Sequence, residues 1–156
     1  MTASARDNRA VSESDVAVVR QFLDAMPEEW VAAHGDRAAT ERMSSRMLPL
    51  LHPDFELHAP SEMIELGTPA VAGSPWFELF GEWLETFATY SERYTDVIDA
   101  GPGAVLVYAT IGGTTATDGV EISREAGAVY RLEAGLIRSI TLFFDRDEAR
   151  AAVGLV

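Results

Sequence analysis

Residues 128–155 read AVYRLEAGLIRSITLFFDRDEARAAVGL. Two runs of alternating apolar and polar side chains meet at Ala134-Gly135. That pattern predicts two half-buried strands joined by a tight turn, 120–133 and 136–145. Gly135 suits the turn because a positive φ costs little only where there is no Cβ. An Ala-rich segment follows and Gly154 stops it, so a short helix is expected over Arg146–Val153. Asp145 ends the second strand. It could serve as an acid, yet Asp145 and Glu148 stand at capping-box spacing for that helix.

The pattern extends upstream. Candidate strands 90–100 and 104–116 precede the pair, and Asp118-Gly119 suits a hairpin turn between 116 and 120. Gly112, Gly113 and Gly127 fall inside strands, where glycines often mark bulges and bends. A strongly curved meander is expected. Before it, GSPWFELFGEWLETF (73–87) predicts a helix capped by Ser74, with Pro75 in its first turn and aromatic residues on several sides. Gly81 inside it implies close packing or pocket space. LLHPDFELHAP (50–60) alternates Phe55, Leu57 and Ala59 against Asp54, Glu56 and His58, a half-buried strand closed by Pro60. Residues 61–73 read as an irregular loop or short hairpin near a pocket mouth.

The N-terminal third predicts helices. Residues 1–11 are expected to be a mobile arm, with one domain over 12–156. Ser12 and Asp15 resemble a capping box, and Val16, Val19, Leu23, Met26 and Trp30 form an apolar stripe. Pro27 breaks it, which implies a kink or a restart, with Pro27 in the first turn of a short second segment ending near Gly35. A further helix is expected from Asp36 to Leu51, weakened at Pro49.

Composition narrows the chemistry. The chain has 156 residues and a formal net charge of −13, from 25 acidic and 12 basic residues. Such a surface repels phosphate backbones and anionic membranes. It contains no Cys, and all its basic residues are Arg, which excludes thiol nucleophiles, Schiff bases and a P-loop lysine. One Asn (Asn8) and one Gln (Gln21) cannot line a polar site. The N-terminus lacks the apolar run of a signal peptide, so a cytoplasmic location is expected. His52 and His58 have no recognised metal spacing; neither a metal nor a cofactor is expected.

Taken together, the three quoted blocks resemble the SnoaL-like members of the nuclear transport factor 2-like superfamily, over about residues 14–156. The resemblance implies an α+β fold: a curved, mostly antiparallel sheet, cone-shaped and cystatin-like, wrapped around helices over an apolar pocket. It implies a homodimer, and acid–base chemistry of the cyclase, isomerase or hydratase type on a small apolar carbonyl or polyketide-like compound. A non-catalytic binding or scaffold domain is the alternative. Two acids that ketosteroid isomerases use fall here on Ala59 and Ala128, so that specific chemistry is not expected.

Alternation then nominates side chains. If Ala128 faces the pocket, so do Ile122, Arg124, Ala126, Tyr130 and Leu132. Arg124 would anchor a carbonyl or enolate oxygen, or else form a structural ion pair or be turned outward by a bulge at Gly127. Tyr130 could donate a proton, or pack in the core. His58 is a candidate base near neutral pH, although alternation places it away from the pocket. Trp76, Trp83, Tyr108, Leu142 and Phe144 are candidate pocket walls. Glu62 and Glu65 could reach the mouth, or lie in a solvated loop. Val129, Ile137 and Phe143 are expected on the outer face, as part of a dimer surface.

Overall fold

The computed structural model describes residues 2–58, 71–72, 81 and 83–155. Three helices come first. Helix α1 spans Thr2–Asp24, α2 Trp30–His34 and α3 Arg37–Met47, with a single 3-10 turn at Leu48–Leu50. Pro27 lies in the break between α1 and α2, ahead of the cap rather than in the first turn. Glu29 caps α2 by accepting from the Ala32 amide at 2.8 Å, and Asp36 caps α3 through the Ala39 amide at 3.2 Å. Pro49 falls in the 3-10 turn, where it ends the regular helix.

The first helix begins at Thr2, so the expected arm continues α1. Ser12 and Asp15 are not a cap. Both are buried inside the helix, and the Asp15 carboxylate accepts from the Gly103 amide at 2.8 Å. The pair faces the sheet, and α1 is thereby tied to a strand-connecting turn.

The sheet has strands β1 Leu51–His58, β2 Val71–Ala72, β3 Phe87–Asp99, β4 Ala104–Thr115, β5 Glu121–Glu133 and β6 Leu136–Phe143. Their order is β2-β1-β6-β5-β4-β3, and β1 runs parallel to β6 while the other neighbours are antiparallel. Positive φ at Ala134 (52°) and Gly135 (79°) makes the last turn, and Gly119 (64°) the one before it. Helix α4, Arg146–Ala152, closes the chain; Asp145 caps it by accepting from the Asp147 amide at 2.8 Å.

Two apolar layers hold the fold. The larger lies between α1–α3 and one face of the sheet, with Val19, Phe22, Trp30, Met47, Phe55, Val107, Tyr130 and Ile140 among its buried members. Burying one such aliphatic or aromatic side chain contributes roughly 1.5–3 kcal/mol. The smaller lies on the opposite face, where α4 covers Leu106 and Val129 through Ala149. Gly127 permits this approach, because a Cβ there would stand 2.7 Å from the Ala149 Cβ.

These layers correct two expectations. Ile137 belongs to the inner core with no exposed surface, because the register shifts between Arg131 and Leu132 and re-aims the strand pair. Val129 is buried and Phe143 packs with it in the layer under α4, so neither is an open dimer surface. The strand glycines do not mark the register shifts in β3–β5. Those fall between Phe87 and Thr89, between Tyr94 and Asp96, and between Arg131 and Leu132.

Gly81, Trp83 and Leu84 are helical, but the helix expected over 73–87 ends sooner: Glu85 and Thr86 form a turn and Phe87 begins β3. Residues 73–80 and 82 lie outside the described residues, as do Ala59, Glu62, Glu65 and Trp76. At Gly81 the close packing is real: a Cβ there would meet the His34 ring at 2.6 Å. Among the described residues no helix is long and apolar enough to cross a membrane.

Candidate functional site

Strand β3 brings one carboxyl and two phenols together. Its residues Tyr90, Glu92 and Tyr94 alternate onto the helix-facing side of the sheet, in register with Gly113, Ile111 and Ala109 of β4. Glu92 sits midway between two phenols. The Tyr90 hydroxyl donates to Glu92 Oε1 at 2.8 Å, and the Tyr94 hydroxyl donates to Oε2 at 2.6 Å. The Tyr94 hydroxyl also touches the Met26 sulfur, two residues beyond the end of α1. Trp83 packs edge-on against Tyr90 at 4.8 Å and Phe87 at 5.0 Å between ring centres. Tyr130, on β5, packs edge-on against Phe22 of α1 at 5.9 Å.

The electrostatics follow from this packing. Desolvation pushes the Glu92 carboxyl above its ordinary range, and the two phenol hydrogen bonds oppose that push without cancelling it. Tyr90, Tyr94 and Tyr130 are all raised, first by burial and then by the charge of Glu92. Among the described residues no basic side chain forms an ion pair with Glu92. A carboxyl so placed can hold or release a proton at mild pH. Phenols so placed keep theirs and act as hydrogen-bond donors.

The nominated residues divide. Ala128, Tyr130 and Leu142 do face the helices, as alternation requires, and Trp83 joins the same core. Arg124 has the expected parity, since it pairs with Ile111 and so stands in one row with Glu92. It is not buried, however. Strand β5 outruns β6 there, and the exposed guanidinium stacks over the Phe144 ring at 4.1 Å. Arg124 and Phe144 line a surface depression with Glu125, Asp145, Arg146, Asp147 and Glu148, separate from the Glu92 cluster. Arg124 therefore does not supply the buried anchor expected of it.

Tyr108 and His58 lie on the opposite face. Tyr108 packs in the layer under α4, its hydroxyl accepting from Arg150 at 3.1 Å and its ring 5.0 Å from the Arg146 guanidinium. It is no wall of the inner face, because β4 presents Val105 and Val107 there. His58 is in register with Thr141, and its Nε2 is 3.2 Å from Glu56 Oε2. It is not in the tyrosine–glutamate cluster. Asp145 is spent on the α4 cap.

Sequence reasoning missed Glu92, Tyr90 and Tyr94. A signal existed: Tyr-x-Glu-x-Tyr at period two sets one acid and two phenols on a single strand face.

Solved structures share this architecture. An NTF2-like protein of unknown function from Burkholderia pseudomallei K96243 superposes with a TM-score of 0.63 at 18% identity, over 90% of this chain and 98% of that one. TerC, co-crystallised with polyporic acid, gives 0.60 at 16% identity, over 85% and 98%. A protein from Jannaschia sp. CCS1, provisionally named a SnoaL-like polyketide cyclase, gives 0.60 at 16%, over 90% and 92%. No family model and no curated protein matches the sequence. The chain has the nuclear transport factor 2-like fold: a curled, mixed sheet packed on helices, as the resemblance of its sequence implied.

Proposed function

We propose that this protein is a small-molecule enzyme of the SnoaL-like kind, which moves a proton on a carbonyl compound with Glu92 as the transferring group. The observation that carries the reading is the Glu92 carboxyl held between Tyr90 and Tyr94 on the helix-facing side of the sheet. Burial raises its affinity for a proton, which suits a group that must take one up and return it near neutral pH.

The step balances without a cofactor. Ionised Glu92 takes a proton from the carbon beside the carbonyl, and the C–H electron pair becomes the enolate. A phenol of Tyr90 or Tyr94 swings its hydrogen bond from the carboxylate to the enolate oxygen. Where a C=C bond adjoins the deprotonated carbon, protonated Glu92 returns the proton to the far end of that bond, the double bond shifts into conjugation with the re-formed carbonyl, and an isomer results. Attack of the enolate carbon on a second carbonyl of the same molecule closes a ring instead: that C=O π bond opens to an alkoxide, which takes the proton back from Glu92. Phe22, Met26, Trp83, Phe87 and Tyr130 belong to or pack against the same apolar core and supply the kind of surface that a small aromatic or polyketide-like compound would need.

The test is turnover by wild type and Glu92→Gln on a panel of enolisable ketones, including cyclisable polyketone analogues. Loss of a general base costs about 10²–10⁴ in rate. Tyr94→Phe should cost less, because Tyr90 remains to bond the oxygen. Undiminished turnover in Glu92→Gln with the fold retained overturns the assignment. A ligand bound tightly by both proteins and turned over by neither would favour a binding domain instead.

A further inference from the structure

Among the described residues, no basic side chain forms an ion pair with Glu92. Each of its oxygens accepts one phenol hydrogen bond and keeps a second lone pair. The chain offers little to fill that vacancy. Residues 59–82 contain Glu62, Glu65, Glu78 and Glu82 but no Arg, Lys or His. Arg93, next to Glu92 on β3, has the other parity and is exposed. Arg124 is two strands away, about 10 Å at ordinary strand spacing, and its guanidinium is stacked on Phe144. The histidines lie elsewhere: His58 beside Glu56, His52 beside Asp54 and Glu133, and His34 against Gly81.

Tyr90, whose hydroxyl bonds Glu92, belongs to a cluster of three rings with Trp83 and Phe87, at mutual centroid distances of 4.8, 5.0 and 5.3 Å. Aromatic faces attract cations through their quadrupole, most strongly where water is excluded. The formal charge of −13 adds a long-range field that concentrates cations and repels anions.

We propose that the compound taken by this site carries a basic nitrogen, and that its ammonium group is the missing partner of Glu92. This rests on Glu92 as the centre of the site and names the substrate class. An ammonium at Glu92 keeps the carboxyl ionised, which is the form a base needs. It also removes the cost of an uncompensated charge among apolar neighbours. A carboxylate or phosphate ligand meets repulsion from Glu92 instead.

The test compares three small probes of similar size by isothermal titration calorimetry near pH 7: benzyltrimethylammonium, benzyl alcohol and benzoate. Wild type should bind the cation at least tenfold more tightly than the alcohol and benzoate more weakly than either. Glu92→Gln should lose at least tenfold for the cation and change little for the alcohol. Equal affinity for cation and alcohol in wild type overturns the proposal, and that comparison needs no variant. Cation binding that survives Glu92→Gln but falls in Glu125→Gln or Glu148→Gln overturns it as well, by placing the cation in the outer depression. If Glu92→Gln abolishes turnover of neutral ketones while wild type shows no charge preference, this inference fails and the acid–base reading stands. A cation preference that Glu92→Gln abolishes, with ketone turnover unaffected, gives the converse.

Discussion

Glu92→Gln isolates the contribution of one proton on a half-buried carboxyl to stability. The side chain keeps its length, and the amide can accept from one phenol and donate to the oxygen of the other. What changes is titration. The folded protein holds the Glu92 proton more tightly than the unfolded chain does, because burial disfavours the charged form. The stabilisation from that proton is full below the unfolded value, about pH 4.3 for a free glutamate, and is lost as pH rises through the folded value. One proton sets the limit of the slope: up to about 1.4 kcal/mol per pH unit within that window. The groups facing Glu92 do not titrate there, since Tyr90, Tyr94 and Tyr130 are all raised above the ordinary phenol value. Every other carboxylate is common to both proteins and cancels in the difference. Losing two charge-assisted bonds for neutral ones costs Gln about 1 kcal/mol each wherever Glu is ionised, a fixed offset above the window. Urea unfolding followed by circular dichroism from pH 4 to pH 8 measures the difference. Wild type should lose stability relative to the variant as pH rises, then level off. Parallel profiles for the two proteins would refute the raised carboxyl and the enclosed site with it.

Two further outcomes follow from packing. Three of the four tyrosines are raised, so at pH 10–11 native protein should develop no more than about a quarter of the tyrosinate absorbance near 295 nm that it shows in urea; half or more of it would mean that the inner face is open to water. Gly127→Ala drives a methyl group into Ala149 and should destabilise by roughly 1–3 kcal/mol, with Ala149→Gly recovering part of the loss in the double variant; additive effects would show that α4 does not rest on that glycine.

Local rules made much of the fold legible. Strand limits in the last half depend on period-two alternation and on turn glycines, which are properties of neighbouring residues, so they emerged within a few positions. The cap at Asp145 and the break at Pro27 were readable because they depend on one side chain and the adjacent backbone. Alternation also put His58 on the side away from Leu57 and Phe55. Other features required the assembled sheet. The face of β4 that carries Tyr108 was settled by where α4 lands, and Ile137 was turned inward by the register shift after Arg131. Arg124 has the parity of the inner face, yet whether a charge there is buried depends on how far the next strand extends. Glu92 shows the same limit most clearly. Its spacing with Tyr90 and Tyr94 is written in the chain. Its desolvation comes from α1 and from strands far off in sequence, and no local pattern encodes how closely those will pack.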